Sequence, residues 1–315
     1  MGGDPRKAKQ LAYQAAAIAA ALGVIWFLIS NTLANLEERR IASGFGFLGR
    51  EAGFEIGESF FLRYGAADSY LRALAVGLVN TLMVSAIGIV LATGLGTAIG
   101  LFRLSTNSLL KMISTAYVEF VRNVPLLVQL FFWYALITES LPIAREALEP
   151  LPGVFLSNRG IFFPSFSGAP VLQGFNFTGG AAVSPEFAAL LLGLVTYTAG
   201  FIAEIVRAGV LAIVRGQWEA AQAVGLTRGQ TLRHVVLPQA LRVIVPPMTS
   251  QYLDLTKNSS LAVAIGYPDL VSIANTAINQ TGQAIEGIAI IMAVYLTISL
   301  SISALMNWYN ARVLR

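Results

Sequence analysis

The 315-residue chain contains no cysteine and a single histidine, His234. Without cysteine there are no thiol nucleophiles, no disulfides and no cysteine-based zinc sites. One histidine excludes a metal site built on a histidine pair within the chain, and no metal site is expected. Charge is scarce as well. Only 12% of residues are charged, against about 25% in a soluble domain. The basic residues are scattered, with no aromatic-interleaved basic face, which argues against nucleic-acid binding. No G-x-x-x-x-G-K-[ST] occurs, so the chain has no standard P-loop for ATP.

What fills the chain is apolar sequence: 56% of residues are hydrophobic and the mean hydropathy is +0.67. A membrane helix needs about 20 mostly apolar residues, and that length predicts six spans: Leu11–Leu33, Ala73–Phe102, Met112–Ile137, Phe187–Val214, Val243–Ala264 and Gly287–Tyr309. The first is too long for a signal-peptide core and reads as an uncleaved span. Gly94, Gly96 and Gly100 predict a close helix approach in the second. Pro125 predicts a kink in the third. Pro246-Pro247 opens the fifth and loosens it.

Two long connections separate spans. Residues 34–72 contain Gly44-Phe45-Gly46-Phe47-Leu48-Gly49, a G-x-G-x-x-G match. No strand precedes it and its intervening residues are bulky, so it reads as a turn with Phe anchors at the interface rather than a nucleotide loop. Residues 138–186 are too long for an ordinary loop and predict a structured insert. Within them Asn176-Phe177-Thr178 matches a glycosylation sequon, a pattern short enough to arise by chance.

The loop charges orient the spans. Segments 1–10, 103–111, 207–242 and 310–315 hold 12 Lys/Arg. Segments 34–72, 138–186 and 265–286 hold 7 although they are longer. This bias predicts both termini in the cytoplasm. It also puts the stretch Glu219–Pro238 (EAAQAVGLTRGQTLRHVVLP) on the cytoplasmic side. Within that stretch Glu219, Ala220, Ala221, Ala223 and Val224 predict a short helix with a small-residue face. Gly225 supplies a left-handed stop, Thr227 and Gln230 form a capping box, and Pro238 ends the next turn. A short helix between two spans suits a groove on a soluble partner, although a plain helical connector would show the same pattern. His234 reads as a surface histidine near that partner.

Charged residues within spans are costly and face a bundle interior or a wet cavity. Three pairs stand three residues apart: Glu119/Arg122, Glu204/Arg207 and Asp254/Lys257. Each is either a self-neutralising structural tie or a polar path. Glu204/Arg207, near the cytoplasmic end, reads as a tie. Lys257 lies beside Asn258, Ser259 and Ser260, donors suited to a carboxylate.

The Glu219–Pro238 stretch resembles the EAA loop of permease subunits of binding-protein-dependent ABC importers. The family pattern is Glu-Ala-Ala, Gly four residues after the second Ala, nine residues, Ile, one residue and Leu-Pro. Here it is Glu219, Ala220, Ala221, Gly225, Val235 in place of Ile, Leu237 and Pro238. Asn80-Thr81-Leu82, the run Glu119–Gln129, Glu204–Gly209, Gly216-Gln217-Trp218 and Thr256–Leu261 resemble the polar-amino-acid branch. The match covers roughly 73–140 and 185–310. The extra N-terminal parts and the insert are similar to the longer permeases of general or acidic-amide amino-acid systems.

The resemblance implies an all-α polytopic membrane protein with a type I ABC importer-like transmembrane domain of about six helices. Residues 1–72 would be a membrane helix plus extracytoplasmic segment. Residues 73–315 would be the permease domain, with an insert at about 138–186 and the EAA loop at about 215–240. It implies a multi-pass protein of the bacterial inner membrane that is not itself an enzyme. Its partners would be ABC ATPase subunits carrying ATP and Mg, a second permease (identical or paralogous) and a periplasmic amino-acid-binding protein. Glu219, Ala220, Ala221, Gly225, Leu237 and Pro238 would couple to the ATPase. Lys257, Asn258, Ser259, Ser260, Asp254, Glu119, Arg122, Asn80 and Thr81 are the candidate substrate path. Two other classes compete. An ion-coupled secondary transporter should show an internal repeat, and none is evident. A membrane serine hydrolase would use Lys257 with Ser260 as a dyad.

Overall fold

A computed structural model describes residues 5–38, 43–166 and 168–313. Arg315, among the inner charges, and residues 39–42 of the 34–72 connection lie outside the described residues. Four helices are long and apolar enough to cross a membrane, or up to six spans if each of two bent pairs is one. They are α1 (Pro5–Glu38), α2 (Tyr70–Phe102), α5 (Pro185–Leu211) and α10 (Ala284–Val313). The bent pairs account for the third and fifth runs.

The first bent pair corrects the predicted kink. α3 (Ser108–Asn123) and α4 (Leu126–Ser140) meet at 107°. A residue before proline avoids the helical region, and Val124 is extended at ψ 126°. Pro125 therefore ends one helix and caps the next rather than bending a single one. Gln129 Nε2 donates to the Val121 and Val124 carbonyls at 2.9 and 3.0 Å, which satisfies acceptors freed at the break.

α2 and α5 form the packing spine. A Cβ at Gly96 would lie 2.7 Å from the Ile202 side chain, and one at Gly100 would lie 2.7 Å from the Ala203 carbonyl. These two glycines let the backbones touch, whereas Gly94 faces open space. The core around them holds Leu130, Leu190, Leu194, Ile202 and Leu255, all fully buried.

The insert is β-structure. Strands β1 (Leu148–Leu151), β2 (Val154–Ser157), β3 (Gly160–Phe163) and β6 (Ala181–Val183) form an antiparallel sheet in that order. β4 (Val171–Gln173) and β5 (Asn176–Thr178) form a separate hairpin. Phe177 joins the two, with ring centroids 4.5 Å from Phe155 and 5.0 Å from Phe162. Gly160 adopts φ +127°, and a Cβ there would sit 2.3 Å from the Val183 carbonyl.

The N-terminal connection differs from the expected interfacial turn. Phe45–Gly49 is a 3₁₀ turn, and Phe47 is buried with Ala52 against Tyr70, Leu74, Leu270 and Ile273. Phe47 is thus a core anchor against α2, while Phe45 stays exposed. Within residues 43–69, Phe47 and Ala52 share their buried cluster with α2 and with Leu270 and Ile273. The α1 window Ala12–Thr32 buries nothing within the chain.

Candidate functional site

The polar interruption between α5 and the next span folds as three short pieces. α6 (Arg215–Ala223) comes first, with Ala221 buried and Glu219 exposed. Gly225 then takes φ +82°, the left-handed stop that its position predicts. α7 (Arg228–Thr231) opens on the Thr227/Gln230 capping box. A π turn, Leu232–Val236, leads directly into α8 (Leu237–Asn258). Pro238 therefore does not end the turn. It sits in the first turn of α8, directly after the π turn, where its ring removes one N–H from the helical ladder.

One side chain bridges the loop to the span. Gln239 Nε2 donates to Gln217 Oε1 at 3.2 Å and to the Val235 carbonyl at 2.9 Å. Arg215 Nε meets Glu219 Oε1 at 3.0 Å within α6. α8 has 22 residues, so at 1.5 Å per residue it spans about 33 Å.

α8 runs unbroken through Pro246 and Pro247, contrary to the expectation that they open and loosen the span. Its break comes later. The helix gives way at Asn258 to a 3₁₀ turn, Ser259–Ile265, closed by Gly266 at φ +80°. Then α9 (Leu270–Thr281) leaves at 51°. α9 lies in the 265–286 segment, which the loop charges mark only as an outer connection. Its signals were present in the sequence: Asp269 caps its N-terminus through Ser272 N–H, and Gly282 stops it at φ +72°.

The candidate path residues divide by exposure. Asp254 and Lys257 are exposed on the face of α8 opposite buried Leu255 and Thr256, and Asn258 is half-buried beside them. No ion pair joins Asp254 to Lys257 among the described residues, which counts against a self-neutralising tie. Lys257 lies in the last turn of α8, where carbonyl ends favour a cation. The serines are committed elsewhere. The Ser259 hydroxyl is buried and donates to the Thr256 carbonyl at 2.8 Å. That of Ser260 donates to the Lys257 carbonyl at 2.7 Å. A Ser260–Lys257 dyad is not formed.

Asn80 and Thr81 are fully buried in this structure. Asn80 Nδ2 donates to the Glu58 and Pro268 carbonyls, both at 2.9 Å. Leu270 N–H donates to Thr81 Oγ1 at 3.1 Å. These bonds tie α2 to the N-terminal connection and to the α8–α9 turn, a structural task. Glu119 and Arg122 are exposed, with no ion pair between them among the described residues. The Arg122 guanidinium lies 5.1 Å over the Phe201 ring.

Glu204 and Arg207 are paired at 2.5 Å, as their spacing predicts. Arg103, at the end of α2, is a third member that sequence reasoning missed, and its guanidinium donates to Glu204 Oε2. Its signal was position: it is the first charge after the long uncharged span. On the far side, Glu58 was also missed. Its carboxylate accepts from the Ser184 hydroxyl at 2.7 Å, and burial pushes its pKa above the ordinary carboxylate value. Ser184 in turn caps α5.

Apolar helices long enough to span a membrane, with a short helix hung between two of them, are the arrangement that the EAA-loop resemblance implies for a permease subunit. The chain belongs to the family of inner membrane components of binding-protein-dependent transport systems, whose model matches residues 87–315. It is 46% identical to the putative amino-acid ABC transporter permease protein YhdX of Escherichia coli, over 96% of this chain and 93% of that one. It is 41% identical to the general L-amino acid transport system permease protein AapQ of Rhizobium johnstonii, over 98% and 93%. Among solved structures it is similar to an amino acid ABC transporter with histidines. There the TM-score is 0.58 and the identity 26%, over 77% of this chain and 95% of that one. The methionine ABC transporter MetNI shares the fold, with TM-score 0.52 at 19% identity, over 78% and 96%. The family replaces the ion-coupled and hydrolase alternatives.

Proposed function

We propose that the chain is one of two membrane subunits of an ATP-driven amino-acid importer in the bacterial inner membrane. The other subunit is a second copy or a paralogue. Both termini lie in the cytoplasm. α6 is the coupling helix, and it docks on a separate ATPase that binds ATP and Mg. Glu219 and Gly225 set its exposed face and its stop. Ala221 packs it against the span, and the exposed Ala220, Leu237 and Pro238 belong to the surface that couples to the ATPase. A periplasmic binding protein delivers the amino acid from the other side.

The observation that carries this reading is the continuity of α7, the π turn and α8 after the Gly225 stop, with Gln239 latching α6 to the start of α8. When the ATPases close, α6 moves and α8 moves with it. The far end of α8 is where the helix breaks, at Lys257 and Asn258. Membrane transporters bind charged substrates at such breaks. The Lys257 ammonium and the Asn258 amide receive the substrate carboxylate, and Asp254 receives its α-ammonium. Glu119 and Arg122 line the outer wall of the same path, towards the second subunit. Ser259, Ser260, Asn80 and Thr81 support the break from behind.

The test is uptake by proteoliposomes holding this chain with a second permease subunit, an ATPase and an amino-acid-binding protein from the same cell. Uptake that requires ATP and stops with vanadate is the expected result. Uptake by this chain alone, driven by an ion gradient, would refute the proposal.

A further inference from the structure

A cleft of about 600 Å³ opens between the ends of α2 and α5 and the α6–α7 loop. Its floor is apolar: Val210 and Leu232 line it, and Leu101 and Leu211 reach it with 41% and 60% of their surfaces exposed. Its rim is cationic and hydroxylated, from Arg215, Arg228 and Thr106. No carboxylate lines it among the described residues.

The nearby acids are already engaged. Glu219 is paired with Arg215, and Glu204 is held by Arg103 and Arg207. Arg228 has no ion pair among the described residues. The surrounding segment 207–242 carries five arginines and one glutamate. Trp218, half-buried at the cleft, is the residue type that sits at the headgroup level of a bilayer. An amphipathic ligand with an anionic head therefore matches both the rim and the floor.

We propose that this cleft seats an anionic phospholipid. Its phosphodiester lies against Arg228 and the Thr106 hydroxyl, and an acyl chain runs along Leu101 and Leu211 into the bilayer. The cleft lies at the loop-side ends of α2 and α5, two helices long enough to span a bilayer, so its ligand comes from the adjoining leaflet. Basic pockets between membrane helices select such headgroups by the same charge logic. The lipid would hold the coupling loop against the spans from beneath. The seat does not depend on the transport reading, which names only the leaflet, the cytoplasmic one.

The experiment is native mass spectrometry of the full chain in detergent, titrated separately with phosphatidylglycerol and phosphatidylcholine. Phosphatidylglycerol should bind more tightly, and Arg228→Gln should weaken it about fivefold, the worth of one basic residue at a membrane surface. Thr106→Glu changes an exposed loop residue and should weaken it at least as much. Arg233→Gln removes an equal charge outside the cleft and should leave binding within about twofold. Excess inorganic phosphate should not displace the lipid. Equal binding of phosphatidylcholine would overturn the proposal. So would full retention in both cleft variants, an equal loss in Arg233→Gln, or displacement by phosphate.

Discussion

Glu204→Gln isolates the electrostatic tie between the spine helices. The carboxylate accepts from Arg103, from Arg207 Nε at 3.1 Å and from Arg207 Nη2 at 2.5 Å. The Arg103 side chain is only 11% exposed, Glu204 27% and Arg207 30%. Glutamine keeps the shape and one carbonyl oxygen but removes the charge. Two guanidiniums then face each other without an anion. Removing one partner of a fully buried pair costs about 3–5 kcal/mol. The partial exposure here lets water screen Arg207, which lowers the expected loss to about 2–3 kcal/mol. The assay is the unfolding temperature of the purified chain in detergent, where a drop of several degrees is expected. Arg103→Gln on top of Glu204→Gln removes the most buried unpaired cation, so the double variant should regain much of the loss. A single variant as stable as the parent, or a double variant worse than the single one, would refute the triad as a structural tie.

Other outcomes follow from the same geometry. Gly100→Val puts side-chain atoms into the Ala203 backbone and should cost about 1–3 kcal/mol, read as a lower unfolding temperature; a neutral result would contradict the α2–α5 contact. Gln239→Leu removes both latch hydrogen bonds, worth together about 1–3 kcal/mol. It should lower amino acid transported per ATP hydrolysed while hydrolysis continues, and an unchanged ratio would dismiss the latch. Lys257→Ala should lower uptake affinity about tenfold or more by removing a charge-assisted hydrogen bond, and unaltered kinetics would take Lys257 out of the path. For Glu58, burial raises the folded-state pKa, so the neutral carboxyl is the form the fold favours. Its stabilising share is complete below the ordinary carboxylate pKa and is lost as pH rises through the raised value. The parent should lose unfolding temperature over that rise relative to Glu58→Gln, and parallel pH profiles would contradict the assignment.

Much of the architecture was legible because membrane helices announce themselves by length. The runs at 73–102, 187–214 and 287–309 became α2, α5 and α10 with small shifts at their ends. Gly225, Thr227 and Gln230 were readable because stops and caps are local chemistry. What could not be read was anything set by a distant partner. Pro125 marked a disturbance, but its spacing alone does not tell a kink within one helix from the 107° break between two. Asn80 and Thr81 looked like polar residues awaiting a ligand, yet their partners are Glu58, Pro268 and Leu270, far along the chain. The Ser259 and Ser260 hydroxyls each bond the carbonyl three residues back, a local use that residue type alone does not reveal. The insert showed its glycines and aromatics, but not the pairing of β3 with β6, which skips a hairpin.

The central claim is that α6 passes the ATPase stroke to the break in α8. The most direct measurement records ATP hydrolysis and amino-acid uptake together in proteoliposomes carrying Glu219→Arg with all subunits assembled. Glu219 is exposed, so the fold tolerates the change while the docking face reverses charge. Hydrolysis that persists while uptake collapses is the expected result. Uptake at the parent rate, with the ATPase still bound, would contradict the account.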